Sequence, residues 1–176
     1  MVKHLGKNNT LYDLQHGFRE RRSCETQLAM LVEDLARNTS QGQQTDLILL
    51  DFSKAFDKVS HEKLIHKLHQ WDVRGHNLNW ISAFLNNRSQ KVIVDGEESE
   101  SVPVTSGVPQ GSVLGPILFL VYINDLPQNL LSHVRLFADD TAVYLTINNK
   151  QDCKELQNGL DKLHVWGKLW NMHFNP

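Results

Sequence analysis

The apolar positions of this chain follow two rhythms. After Ser23, residues Leu28, Leu31, Val32 and Leu35 recur at three- and four-residue intervals, the period of one helical face, and the Ser23 hydroxyl can cap the first turn. The spacing predicts a helix that ends near Asn38. Residues 47–50 form instead an unbroken apolar run between Asp46 and Asp51, the pattern of a buried central strand that delivers a carboxylate at its end. Helical spacing returns after Ser60, where Leu64, Ile65 and Leu68 share a face, and again over residues 78–85 ahead of the polar Asn86-Asn87-Arg88.

The second half alternates between hairpins and helices. Residues 91–94, Asp95-Gly96 and a polar alternating stretch to Val104 predict a hairpin, because Asp-Gly supplies the positive φ angles of a tight turn. Pro116 opens an apolar helix that reaches about Asp125, its missing N–H falling where a helix has no acceptor for it. Residues 134–138 and 141–146 read as short strands, which puts Asp139 and Asp140 at a hairpin tip. A last helix from about Asp152 turns Leu156, Leu160, Leu163 and Trp170 inward. The order is that of an α+β fold containing most of a split βαβ antiparallel sheet, with helices on one face. A fourth strand after the last helix would complete the pattern, and the sequence stops at Pro176.

Composition narrows the picture. Of 176 residues, 40% are hydrophobic and 22% charged, ordinary globular usage, and no repeat or linker divides the chain. No apolar run approaches the ~18 residues of a membrane span and no basic-then-apolar leader is present, so an intracellular protein with no membrane partner is expected, nucleus or cytoplasm left open. Cys24 and Cys153 form no CxxC spacing, which suggests neither disulfide framework nor structural zinc. His66 and His69 share a helical face without a further ligand and read as a surface pair. The glycosylation-type triplets at Asn8, Asn38 and Asn87 read as coincidence without a secretory signal. A net charge of −2 counts against a general polyanion-binding surface, although Arg19, Arg21 and Arg22 form a local basic cluster.

The carboxylates carry the most pointed chemistry. Asp51 at the end of one strand and Asp139 and Asp140 at the tip of its neighbour would converge on one edge. Two carboxylates ~4 Å apart repel by roughly 4 kcal/mol at an effective dielectric near 20, so a divalent cation or raised pKa values must accompany such an arrangement. Hard oxygen donors with open positions suit Mg²⁺. An Asp-Asp pair in a turn is also an ordinary solvated turn, and the pair alone does not decide between the two.

Three segments, Leu50-Asp51-Phe52-Ser53-Lys54-Ala55-Phe56-Asp57, Ser106-Gly107-Val108-Pro109-Gln110-Gly111-Ser112 and Phe137-Ala138-Asp139-Asp140, resemble in order and approximate spacing the palm motifs of reverse transcriptases from non-long-terminal-repeat (LINE-type) retrotransposons. Gln15-His16-Gly17-Phe18-Arg19 with Arg22-Ser23 resembles the family's fingers motif, and residues 166–176 resemble the start of its next palm motif. The resemblance implies fingers plus a right-hand polymerase palm with a ferredoxin-like, RRM-like sheet, incomplete at both ends. Fingers would occupy about residues 1–45 and 75–107, palm about 46–74 and 108–176, with no thumb. It implies RNA-directed DNA polymerase activity: two Mg²⁺ ions, with Mn²⁺ as a substitute, held by Asp51, Asp139, Asp140 and the Phe52 carbonyl. Phe56 would be the bulky gate against a ribose 2′-hydroxyl, Gln110 a contact to nucleotide or template, and Arg19 and Arg22 contacts to the triphosphate. An RNA template, a DNA primer and a deoxynucleotide are the partners implied.

The family's lysine beyond the position of Pro176, its last palm strand, its thumb and its endonuclease are expected outside this chain, so the isolated chain is expected to polymerise weakly or not at all. Two other readings stay open: a non-catalytic retrotransposon remnant that binds nucleic acid or protein, and a two-metal phosphohydrolase of unrelated fold, which would leave Phe56 and Gln110 without a purpose.

Overall fold

The computed structural model describes residues 11–175; the Asn8 triplet and Pro176 lie outside the described residues. It contains five helices and three small antiparallel sheets among those residues, and the chain divides into two compact units, residues 1–55 with 123–176, and residues 56–122.

In the first unit, helix α1 (Cys24–Ser40) begins on a capping box in which Ser23 and Thr26 satisfy each other's backbone N–H groups. It runs two residues past the end expected from sequence, because the Ser40 hydroxyl donates to the Arg37 carbonyl and the Gln41 N–H reaches back to Arg37 and Asn38. Of its predicted apolar face only Leu31 is buried; Leu28 and Val32 are exposed. Strand β1 (Gln44–Leu50) follows and pairs antiparallel with β7 (Asp140–Ile147), which in turn pairs with β6 (His133–Phe137). The sheet order among the described residues is therefore β1-β7-β6, so residues 47–50, expected as a buried central strand, lie at an edge of the described sheet. β1 is an edge strand, and Leu49 on its open face is 73% exposed. The central strand is β7, whose Val143 and Tyr144 are buried.

Helix α5 (Lys150–Trp170) packs on β7. It starts two residues before the predicted Asp152, which instead serves as the partner in a capping box with Asn149. Leu156 and Leu163 are buried as expected, and Trp166 Nε1 donates to Asp125 Oδ1 at 3.0 Å. After α5 the chain returns to the sheet: Phe174 pairs with Phe52 just beyond the end of β1. Antiparallel pairing thus begins where a fourth strand is expected.

In the second unit, α2 (His61–Gln70), capped by Ser60, and α3 (Gly75–Leu85) pack together, and Leu64, Leu68, Ile81 and Leu85 on them are buried. α3 opens three residues before the expected Leu78. A ribbon of two short pairs follows, β2 (Ser89–Gln90) with β5 (Val102–Pro103) and β3 (Ile93–Val94) with β4 (Glu97–Glu98). Asp95 and Gly96 at its tip have φ of 51° and 88°, the pair of positive angles a type I′ turn requires. Helix α4 (Leu114–Ile123) is apolar all round and almost wholly buried. Pro116 is its third residue, still within the turn whose N–H groups lack helical partners.

Candidate active site

The pairing register sets the acidic edge. Leu50 of β1 stands opposite Thr141 of β7, so the next step outward brings Asp51 alongside Asp140. Asp140 in turn pairs with Phe137 across a two-residue turn made of Ala138 and Asp139. Asp51 and Asp140 also line one cavity of about 310 Å³, together with Leu49, Phe137 and Thr141. The three predicted carboxylates therefore meet at one end of one sheet. Partial burial pushes the Asp139 carboxyl above the usual carboxylate range, and the charges of Asp140 and Asp51 add to that rise.

Asp51 is held from the far end of the chain. Asn175 donates its side-chain N–H to Asp51 Oδ2 at 2.9 Å and its backbone N–H to the Asp51 carbonyl at 2.8 Å. Phe52 is 2% exposed, stacked on Phe174 at 4.4 Å between ring centroids and tilted against Trp166 at 6.1 Å. Its ring is an anchor that fixes the backbone on which Asp51 sits.

The turn that carries Asp139 is unusual. Positive φ falls on Ala138 (53°) and not on Asp139, as in a type II′ turn, where glycine is the common first residue. An alanine there is strained, a cost on the order of 1–3 kcal/mol that neighbouring structure must outweigh. The neighbour is Gln15, 2% exposed: its Oε1 accepts from the Ala138 N–H at 2.9 Å and its Nε2 donates to the Ala138 carbonyl at 3.2 Å.

The predicted arginines lie near the same segment. Arg19 Nη1 donates to the Tyr12 carbonyl at 2.8 Å, and Arg22 pairs with Asp13 at 2.8 Å. Burial, with the nearby Arg22 charge, lowers the Arg19 guanidinium from its ordinary value; donation from Arg22 holds the Asp13 carboxyl below its own.

Phe56 and Gln110 belong to the second unit, which brings them into one cluster. Val108 N–H donates to the Phe56 carbonyl at 2.9 Å, Ser106 Oγ to the Asp57 carbonyl at 2.8 Å, and Gln110 Nε2 to Asp57 Oδ1 at 3.0 Å. Gly107 is required for this close approach: its φ is 92°, and a Cβ there would stand 3.0 Å from Asp57 backbone atoms. The Phe56 ring stacks on Phe119 at 4.5 Å.

Across residues 1–176 the sequence matches the family described as reverse transcriptase (RNA-dependent DNA polymerase). The chain belongs to that family. Among relatives of this reverse transcriptase domain, the RNA-directed DNA polymerase from mobile element jockey of Drosophila melanogaster is 32% identical over 172 residues, covering 92% of this chain and 18% of that protein. The probable RNA-directed DNA polymerase from transposon BS of the same species is 30% identical over 183 residues, covering 98% and 20%. The chain thus spans about a fifth of the length of these relatives, and R1 and R2 elements are also similar to it, so the LINE-type resemblance holds. Solved structures agree on the fold. Telomerase from Candida albicans, in complex with a TWJ fragment of telomeric RNA, superposes with a TM-score of 0.69 at 14% identity over 98% of this chain and 32% of that one. Telomerase from Candida tropicalis gives 0.67 at 12% over 99% and 38%.

For a metal, the donor set fits the hard-oxygen chemistry of Mg²⁺, although among the described residues no three His, Cys, Asp or Glu side chains already close round one point. An open carboxylate edge suits an ion that keeps several waters and takes its remaining ligands from substrate phosphates. Sequence reasoning missed Gln15 and Asn175 as site residues. Gln15 lay inside a recognised motif but 123 residues from its partner, and Asn175 lies 124 from Asp51; no spacing rule connects positions so far apart.

Proposed function

We propose that this domain serves RNA-directed DNA synthesis, with Asp51 and Asp139 holding divalent metal, Asp140 completing the acidic group and the Phe52 carbonyl aiding one ion. The observation that carries this reading is the register that assembles Asp51, Asp140 and the Asp139 turn at one sheet end. Bound Mg²⁺ would polarise the phosphate and lower the pKa of an attacking primer 3′-hydroxyl. The chain's own residues then orient the partners, an RNA template, a DNA primer and a deoxynucleotide. The Phe56 ring walls the sugar site, Gln110 presents its amide to nucleotide or template, and Arg19 and Arg22 offer guanidinium forks to a triphosphate. Arg22 would exchange Asp13 for phosphate. In this reading about residues 46–74 and 108–176 serve as palm, strands β1, β7 and β6 forming most of the split βαβ sheet, and about residues 1–45 and 75–107 serve as fingers.

Mn²⁺ titration of the 176-residue chain followed by electron paramagnetic resonance, with primer extension on an RNA template, tests the proposal. Saturable Mn²⁺ uptake that falls about tenfold or more in Asp139→Asn is the expected result. Uptake that Asp139→Asn does not change, or DNA synthesis that survives it, overturns the assignment.

A further inference from the structure

The segment around Gln15 is built into the first unit as though it were part of the sheet. The Leu14 carbonyl accepts from Leu136 N–H at 3.0 Å and His16 N–H donates to the Leu136 carbonyl at 2.8 Å, a parallel bridge along the outer side of β6. On its other flank, His16 Nδ1 lies 2.9 Å from Thr26 Oγ1 in the first turn of α1. Held from both sides, the Gln15 amide meets the Asp139 turn with all its bonding directed there or at its own loop. Oε1 accepts from Ala138 N–H at 2.9 Å and from Gly17 N–H at 2.7 Å, while Nε2 donates to the Ala138 carbonyl at 3.2 Å.

Gly17 completes the fit. A Cβ at that position would stand 2.2 Å from Ala138 N and 2.8 Å from its Cα, so only glycine lets the segment lie flat against the turn. The turn needs this support because Ala138 holds φ of 53° with no glycine to make it easy. A buried primary amide that bonds both the N–H and the carbonyl of one residue fixes the orientation of two successive peptide planes. The second of these planes leads directly into Asp139.

We propose that Gln15 is a positioning residue for the reaction: its amide clamps Ala138 in the left-handed conformation that aims the Asp139 carboxylate at the acidic edge. It touches neither substrate nor metal and acts through the peptide it holds. The inference rests on the metal reading of that edge.

Gln15→Leu removes both halves of the clamp at similar volume. With Mn²⁺ as probe, the expected result is affinity weakened about tenfold or more, as for other residues that orient metal ligands, together with faster hydrogen exchange at the Ala138 amide. Ala138→Gly supplies the decisive comparison, because glycine adopts positive φ without support. In the Gln15→Leu background it is expected to recover most of the lost Mn²⁺ affinity, a rescue that a mere packing role for Gln15 would not show. Should Gln15→Leu not fold, Gln15→Glu, which keeps the acceptor and loses the amide donor, carries the same comparison with and without Ala138→Gly. Wild-type uptake left within about twofold by these substitutions overturns the clamp alone, as does a loss that Ala138→Gly fails to relieve. Wild-type protein that takes up no Mn²⁺ overturns the metal reading and this inference with it.

Discussion

Asn175 grips Asp51 twice, through its side-chain N–H on the carboxylate at 2.9 Å and its backbone N–H on the carbonyl at 2.8 Å. The side-chain bond occupies one oxygen and leaves the other for a cation, the arrangement by which outer residues orient a metal ligand. Both residues are exposed, so the bond adds little to stability. Asn175→Ala is therefore expected to weaken Mn²⁺ binding by roughly tenfold while shifting unfolding free energy by no more than about 1 kcal/mol. Paired titration and thermal melts check this; equal Mn²⁺ affinity in both proteins contradicts it.

Asp139 makes a pH-dependent prediction. Partial burial, then the charges of Asp140 and Asp51, raise its folded-state pKa above the ordinary 3.8, so the folded chain holds this proton more tightly than the unfolded one. Its contribution is greatest below the ordinary carboxylate range and declines as pH rises through the folded pKa. Asp139→Asn abolishes that decline, so the stability of the variant relative to wild type should increase between about pH 4 and about pH 7. Added Mg²⁺ at neutral pH should narrow the gap by stabilising wild type alone. Denaturant titrations across that range, with and without Mg²⁺, measure both effects, and a constant difference would exclude them.

Contrasting turns show how much of this site the sequence discloses. Asp95-Gly96 announces its turn locally, since those residue types tolerate the positive φ angles found there. Ala138-Asp139 turns just as tightly without any such residue, and its conformation comes from Gln15, 123 positions away. Similarly, the Ser23 and Ser60 caps were readable, because capping is a short-range bond. The edge position of β1 was not. An apolar run states that a strand can be buried on both faces, whereas its place in the sheet depends on which other strands reach it. Asp51, Asp139 and Asp140 fall at one end of the sheet by register because strand ends and hairpin tips are themselves local features.

Beneath the same sheet, Arg135 is buried and bound to Asp34 at 2.5 Å through Nη2 and to the Tyr144 hydroxyl at 2.8 Å through Nε, and Tyr144 donates to Asp34. Burial and the Asp34 bond push the Tyr144 hydroxyl up to about 12. Removing Asp34 would strand the guanidinium, a loss of about 3–5 kcal/mol when a buried ion pair is broken from one side. Because the Asp34 side chain retains 28% exposure, the lower figure is expected for Asp34→Ala. A melting temperature lowered by roughly 6–12 °C corresponds to it in a chain of this size. A drop of only about 1–2 °C would show that water already satisfies Arg135.

Phe56 stacks on Phe119, with centroids 4.5 Å apart and planes 20° from parallel, and Phe119 is fully buried. If the Phe56 ring excludes a ribose 2′-hydroxyl, the exclusion depends on its direction as well as its bulk, and Phe119 sets that direction. Phe56→Ala should then raise the relative kcat/KM for ribonucleotides by roughly 10–100-fold, the scale on which pocket shape discriminates small groups. Phe56→Tyr keeps the ring and should leave the ratio close to wild type. Phe119→Leu leaves the gate residue intact but withdraws the surface it lies on, so it should relax discrimination by an intermediate amount. Single-nucleotide primer extension with matched ribo- and deoxynucleotides, on the variants placed in a complete polymerase that contains this domain, gives the three ratios. A ratio unmoved by Phe56→Ala removes the gate role, and one moved by Phe56→Ala yet untouched by Phe119→Leu shows that the ring holds its orientation without the stack.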